Sequence, residues 1–270
     1  TRRLIMRSYK LPGNRLRLLH PNENRGAVTI DEERDYHFRY VLEDNFGNRR
    51  TYQFIVKGKR QDIPEYKPEA NEMLYWNRTN VIQKPGMELV VPRYYVYEDV
   101  PLRTDMRGDS SHIAFDYILD AGRTPIHSYC DLSIGLRHMP VADTTKYYIV
   151  QKAGKWRSSM GGKYANGWIK TRVRSLGTFS VAVDTIAPQI PPIGQGGWRT
   201  SRNIRFRIKD MDSGIGSYKV YIDGKFVLFG LKKGILVIQD PEKVKKGVSH
   251  KLEVTVTDQC GNMTRKEYKF

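Results

Sequence analysis

Apolar residues in this chain alternate with polar ones far more often than they recur at helical spacing. Tyr36, Phe38, Tyr40 and Leu42 are separated by single residues, and Asn203-Ile-Arg-Phe-Arg-Ile-Lys209 alternates apolar with basic. A period of two sets one side of a strand on a core and the other in water. Met87-Glu-Leu-Val-Val91, Ala114-Phe-Asp-Tyr-Ile-Leu119, Cys130-Asp-Leu-Ser-Ile134, Tyr147-Tyr-Ile-Val150 and Leu252-Glu-Val-Thr-Val-Thr257 are short and rich in β-branched or aromatic residues. Each is bounded by Gly, Pro, Asp or Asn, and no window of helical length shows a 3.6-residue period. The pattern predicts an all-β chain of tandem immunoglobulin-like β-sandwich domains.

Punctuation divides the pattern into three. Phe179, Val181 and Val183 alternate as a strand, and the chain runs on through Asp184-Thr-Ile-Ala-Pro188 to Pro191 and Pro192. Proline offers no N–H to a ladder and forbids a helix, so this joint is expected to be extended and stiff, with a fixed angle between its neighbours. Residues 184–270 hold about seven predicted strands, the size of a complete sandwich, including a hairpin with its tight turn at Asp223-Gly224. Residues 68–183 form a central sandwich, after a charged, Pro-bearing linker from Gly58 to Pro68. Residues 1–60 predict four or five strands, at Leu4–Tyr9, Asn14–Leu19, Gly26–Ile30, Tyr36–Leu42 and Thr51–Val56. That is half an immunoglobulin-like sandwich, whose front half is expected to be missing. Asp44-x-x-Gly47-Asn48 and Asp258-x-x-Gly261-Asn262 are one turn used twice: Asp caps through the backbone and Gly supplies positive φ.

Charge narrows the class of partner. The formal net charge is +17, made of +7 in residues 1–60, +3 in 61–183 and +7 in 184–270, so it is no basic tail. Such a field draws polyanions, among them an anionic membrane surface or an acidic wall polymer, unless it is merely a solvated Arg-rich surface. No zinc-finger, helix-turn-helix or RNA-binding motif accompanies it, so nucleic acid is not an expected partner. No apolar run reaches membrane-spanning length. Thr1-Arg-Arg, without initiator Met or signal peptide, reads as a start left by cutting or processing. Cys130 and Cys260 fall in different predicted domains and are expected to be buried thiols.

Candidate chemistry is sparse. His112-Ile-Ala-Phe-Asp116 has a zinc-like His-x-x-x-Asp spacing, but His20, His37, His127, His138 and His250 make no His-x-His behind it. Asp210-Met-Asp212-Ser-Gly214, with Asp258 and Asn262 near the same end of the sandwich, offers hard oxygens to Ca²⁺ or simply caps turns. Trp156, Trp168 and Trp198 either stack on sugar rings or fill cores. No nucleophile elbow and no phosphate-binding glycine loop is present, so no active site is expected in this chain.

Several stretches together resemble one family. They are Gly161-Gly-Lys-Tyr-Ala-Asn-Gly-Trp168 through Val181-Ala-Val-Asp-Thr-Ile-Ala-Pro188, Ser213-Gly-Ile-Gly-Ser-Tyr-Lys-Val-Tyr-Ile222, Glu32-Glu-Arg-Asp-Tyr-His-Phe-Arg-Tyr40, and both Asp-x-x-Gly-Asn turns. In this order, over nearly the whole chain, they resemble the region after the catalytic domain in lysostaphin-like peptidoglycan metallo-endopeptidases of Gram-negative envelopes. The resemblance implies a periplasmic or outer-membrane location. It also implies a parent zinc peptidase whose catalytic domain, with the zinc, lies upstream. The family's His-x-x-x-Asp and His-x-His set is not carried over to His112 and Asp116, which sit in an accessory sandwich. The expected function is a non-catalytic accessory region that positions such a peptidase on peptidoglycan or an envelope complex. Two alternatives stand beside it: a scaffold subunit of an outer-membrane complex derived from such a peptidase, and an enzyme using His112 and Asp116.

Overall fold

The computed structural model describes residues 9–17, 19–62, 64, 69–122 and 124–270, and the chain divides into two compact units, Thr1–Glu69 and Ala70–Phe270. In the first unit the alternation becomes a hairpin. Strands β1 (Asp35–Glu43) and β2 (Arg49–Lys57) pair antiparallel, with Phe38 opposite Phe54 and Tyr40 opposite Tyr52. Phe38 and Phe54 stack with ring centroids 5.1 Å apart, a cross-strand pair of the kind that stabilises two-stranded ribbons. At the turn, Asp44 Oδ1 accepts the N–H groups of Phe46 at 2.9 Å and Asn48 at 3.0 Å, while Gly47 takes φ +81°.

Of the four or five strands expected in residues 1–60, these two form among the described residues. Leu4-Ile-Met-Arg-Ser lies outside the described residues. The described parts of Asn14–Leu19 and Gly26–Ile30 are turns and irregular chain. Asparagines explain the difference. Asn14 Oδ1 takes the N–H of Leu16 and Asn22 Oδ1 that of Gly26, both at 2.9 Å, so these amides close local turns instead of a ladder. Among the described residues, the expected partial sandwich is therefore a single hairpin.

The second unit begins with strands β3 (Glu72–Leu74), β4 (Asn80–Lys84), β5 (Met87–Val91), β6 (Val100–Arg107), β7 (Asp116–Asp120) and β8 (Cys130–Gly135). It continues with β9 (Tyr147–Ala153), β10 (Trp156–Ser159), β11 (Lys163–Ala165), β12 (Trp168–Val173) and β13 (Gly177–Val183). They make two antiparallel sheets, ordered β10-β9-β13-β7-β6-β3 and β11-β12-β8-β5-β4. Inward residues of both sheets, among them Leu74, Leu89, Leu102, Leu119, Leu132, Ile149 and Phe179, are fully buried in one core. Tyr117 crosses that core to donate its hydroxyl to the Pro85 carbonyl at 2.7 Å, beneath the turn at Gly86.

The rest of the unit adds β14 (Pro192–Ile193), a helical turn α1 (Trp198–Ser201), β15 (Arg205–Arg207), β16 (Ile215–Ile222) and β17 (Lys225–Phe226). Then follow β18 (Phe229–Lys232), β19 (Ile235–Ile238), β20 (Lys251–Asp258) and β21 (Met263–Lys269). Their sheets are ordered β14-β15-β19-β18 and β17-β16-β20-β21. Asp223 and Gly224 take φ of 50° and 75° between β16 and β17, as a two-residue hairpin turn requires. Trp198 anchors this second core. It is fully buried against Phe206, Tyr268 and Phe270, and its Nε1 donates to Ile193 O at 3.0 Å. Tyr148 and Val150 of β9 pack on Cys260, so the two sandwiches also share a small buried cluster.

Candidate functional site at the joint between the sandwiches

Three turns converge where the central sandwich hands over to the next. Each is built around an aspartate that caps backbone N–H groups with its own carboxylate, the reason Asp suits such turns. After β13, Asp184 Oδ1 accepts Ile186 N–H at 2.9 Å. In the loop between β15 and β16, Asp210 Oδ1 accepts Asp212 N–H at 3.1 Å and Gly214 N–H at 2.6 Å. Between β20 and β21, Asp258 Oδ1 accepts Cys260 and Asn262 N–H, both at 2.8 Å.

The turns are then tied to one another. Ser213 N–H donates to Asp184 Oδ2 at 3.0 Å, and Asn262 Nδ2 donates to Asp184 O at 3.0 Å and to Asp258 Oδ2 at 2.7 Å. From the other side, Lys146 Nζ donates to Cys260 O at 3.0 Å. One carboxylate oxygen each of Asp184, Asp210 and Asp258 lies within 4.8 Å of the others. Asp184 and Asp258 are 1% and 4% exposed, and among the described residues no cationic side chain pairs with any of the three. Burial holds the Asp210 carboxyl above its usual range. The neighbouring Asp184 and Asp258 charges add to that, against the capping N–H groups. The Ser213 hydroxyl is buried without a well-formed hydrogen bond and lies against the Cys260 thiol, which burial pushes up to about 11.

Chemically this is a set of hard oxygen donors with the charge to hold a divalent cation such as Ca²⁺, and it is also a set of turn caps that fastens one sandwich to the other. Of the predicted pair, Asp210 belongs to it, but Asp212 is exposed and gives only its N–H. Asp184 takes its place. The sequence marks Asp184 as the start of a domain, and nothing in its spacing reveals that a loop 26 residues on folds back to meet it.

The other candidates are dispersed. His112 Nδ1 lies 3.0 Å from Asp109 Oδ1, while Asp116, on β7, pairs with Lys152 Nζ at 2.6 Å. His112 and Asp116 are thus each committed to a different partner, and no further histidine joins them among the described residues. Cys130 is core, its thiol also raised to about 11 by burial. His250 contacts Asp223 Oδ2 through Nδ1 at 2.6 Å, but its Nε2 is held by Lys245 O at 2.8 Å, leaving no nitrogen to activate a nucleophile. Trp198 is wholly buried and so cannot stack on a sugar. Trp168 packs over Gly135, and Trp156, on the edge strand β10, is 81% exposed. Sequence reading missed Trp76, which tilts against Tyr94 with ring centroids 6.0 Å apart at one end of the central sandwich.

Comparison with known proteins adds one domain-level finding. The Zu5-like domain family matches residues 71–184, the span of the central sandwich up to the first aspartate of the joint. No curated protein matches the sequence. Among solved structures, the chain aligns at 10% identity with a Ca²⁺-stabilised adhesin that helps an Antarctic bacterium bind ice. The alignment has a TM-score of 0.22 and covers 87% of this chain and 80% of that one, a score too low to establish a common fold.

Proposed function

We propose that this chain is a non-catalytic interaction region of a cell-envelope peptidoglycan metallopeptidase, holding its parent on the cell wall or on an envelope complex. The observation that carries this reading is the state of the polar groups. The histidines and carboxylates best placed for chemistry are each spent on a structural partner: His112 on Asp109, Asp116 on Lys152, and His250 on Asp223 and Lys245. Over the whole sequence there are 46 Lys and Arg against 29 Asp and Glu, a net positive charge. That suits attraction to an anionic polymer better than turnover of a substrate. The order of the motifs, from the first Asp-x-x-Gly-Asn turn through Asp184-Thr-Ile-Ala-Pro188 to the second, supports the peptidase parent, whose catalytic zinc belongs to its catalytic domain.

Pull-down of the 270-residue chain on purified peptidoglycan, at low and high salt, tests the proposal. Retention at low salt and release at high salt are expected. No retention at low salt overturns wall attachment and favours the second reading, a scaffold that binds an envelope protein. The hairpin supports that second reading, because Leu42, Phe46 and Tyr52 are 63%, 91% and 64% exposed there, an apolar surface of the kind proteins dock on.

A further inference from the structure

The end of the central sandwich away from the joint is built from loops that brace one another with aromatic rings. Tyr94 N–H donates to Trp76 O at 2.9 Å, Trp76 N–H donates to Asp99 Oδ1 at 3.1 Å, and Tyr97 Oη meets His127 Nδ1 at 2.6 Å. Tyr94 takes a left-handed φ of 69°, a conformation that residues with a Cβ rarely adopt, and this sets its ring against Trp76. On this frame two guanidinium groups stand over tyrosine rings. Arg78 stands 3.7 Å over Tyr75 and Arg93 4.4 Å over Tyr94. Both arginines are exposed, and among the described residues neither guanidinium has a carboxylate or hydrogen-bond partner. Stacking fixes the plane of a guanidinium and leaves its N–H edge free, the geometry that grips a carboxylate with two parallel hydrogen bonds.

Beside Tyr75 and Arg78 a shallow groove of about 660 Å³ runs between β3 and β4. Those strands are the edges of the two sheets on the same side of the sandwich, so one side of each leaves backbone groups without a strand partner among the described residues. Met73 and Val81, 38% and 51% exposed, give it apolar walls. Its carboxylate, Glu72, is neutralised by Lys84 Nζ at 2.9 Å. Open strand edges, apolar walls and the guanidinium of Arg78 at one end are recognition elements for an extended chain bearing negative charge.

We propose that this groove and the Arg78 stack form a binding site for an extended acidic peptide, with a carboxylate held by the Arg78 guanidinium and the Arg93 charge at the same end of the sandwich adding to the attraction. The proposal rests on the reading of the chain as an interaction region and names the surface and ligand chemistry through which it acts. The test is fluorescence anisotropy of a labelled alternating Ala/Glu octapeptide with a free C-terminal carboxylate, at low salt. The wild-type chain binds it, R78A/R93A loses at least tenfold in affinity, and R78K, which keeps the charge but not the planar fork, loses severalfold. Both side chains are exposed, so an unchanged thermal melt certifies that the variants are folded. Equal affinity in R78A/R93A, or equally tight binding of an alternating Ala/Gln octapeptide of the same length, overturns the site. Binding of anionic phospholipid vesicles with the same arginine dependence, in place of the peptide, assigns the fork to a membrane and overturns it too. If R78A/R93A is still retained on peptidoglycan like the wild type while peptide binding persists unaltered, this site is wrong and the broader reading stands. Loss of wild-type retention alone removes the broader reading and leaves the peptide measurement to judge the site.

Discussion

His250 is buried between two acceptors, the Asp223 carboxylate and the Lys245 carbonyl. A neutral imidazole has one N–H, so only the protonated ring can donate to both. Burial pulls its pKa down, but Asp223 and the carbonyl outweigh burial, and the net shift is upward from 6.5. A pKa raised in the folded state gives stability that is complete below the unfolded value and is lost as pH rises through the folded one. The wild-type chain is therefore expected to melt at a lower temperature as pH is raised above about 6.5, and His250→Ala to lose that step. Thermal melts across the range check both. Asp210 has the same sign by another route: its raised carboxyl pKa means that ionisation costs stability as pH rises through it. In a chelating buffer at neutral pH, Asp210→Asn is expected to raise the melting temperature, since its amide oxygen still caps Asp212 and Gly214 while the repelling charge is gone. A lower melting temperature would show the charge to be stabilising. Neither titration was legible in the sequence, where Asp210 reads as a cation ligand or a turn cap. His250 stood there as one of six scattered histidines, and its partners lie five and 27 residues away on other turns.

At the scale of elements, alternation read well wherever a strand had a partner to pair with. Tyr36 to Leu42 and Thr51 to Val56 became β1 and β2, and the Asp223-Gly224 turn fell where the pattern put it. It failed at Asn14–Leu19 and Gly26–Ile30 because strand formation depends on a neighbour, while asparagine closes a turn by itself. It was silent on Trp198, whose flanking Gly-Gly and Arg look exposed although a single helical turn points the ring into the core. The turn at Gly86 gives a sharper test. Gly86 has φ +76°, and a Cβ there would sit 2.6 Å from the Tyr117 hydroxyl that bonds Pro85. Gly86→Ala is expected to cost about 2–4 kcal/mol, from left-handed strain together with the displaced tyrosine. Chemical denaturation measures this, and a cost below about 0.5 kcal/mol, the range of indifferent surface changes, would contradict it.

At the scale of the whole chain, three domains were expected, and the two sandwiches of residues 70–270 form one compact unit. The prolines that announced a boundary do not measure how tightly its two sides adhere. That is set by Asn262 on Asp184, Lys146 on Cys260, and Cys260 against Tyr148 and Val150, contacts between residues about 80 to 115 apart that no local pattern shows. The two sandwiches are expected to unfold in one calorimetric transition. Asn262→Ala, which removes the amide joining Asp184 to Asp258, is expected to split it into two. Two resolved transitions in the wild type would show that the shared cluster does not couple them.

The turn that occurs twice carries a last consequence. Asp44 and Asp258 cap their turns with the same hydrogen bonds, yet the side chain two places on is Phe46 in one, 91% exposed, and Cys260 in the other, 2% exposed. The backbone of the motif is a fixed plug, and this third position is the pin it presents. Where a socket exists, between Tyr148 and Val150, the pin is a small buried thiol, and a larger side chain would have to displace its neighbours. On the hairpin tip the pin is a phenyl ring in water, free to vary in size at no cost to its own fold.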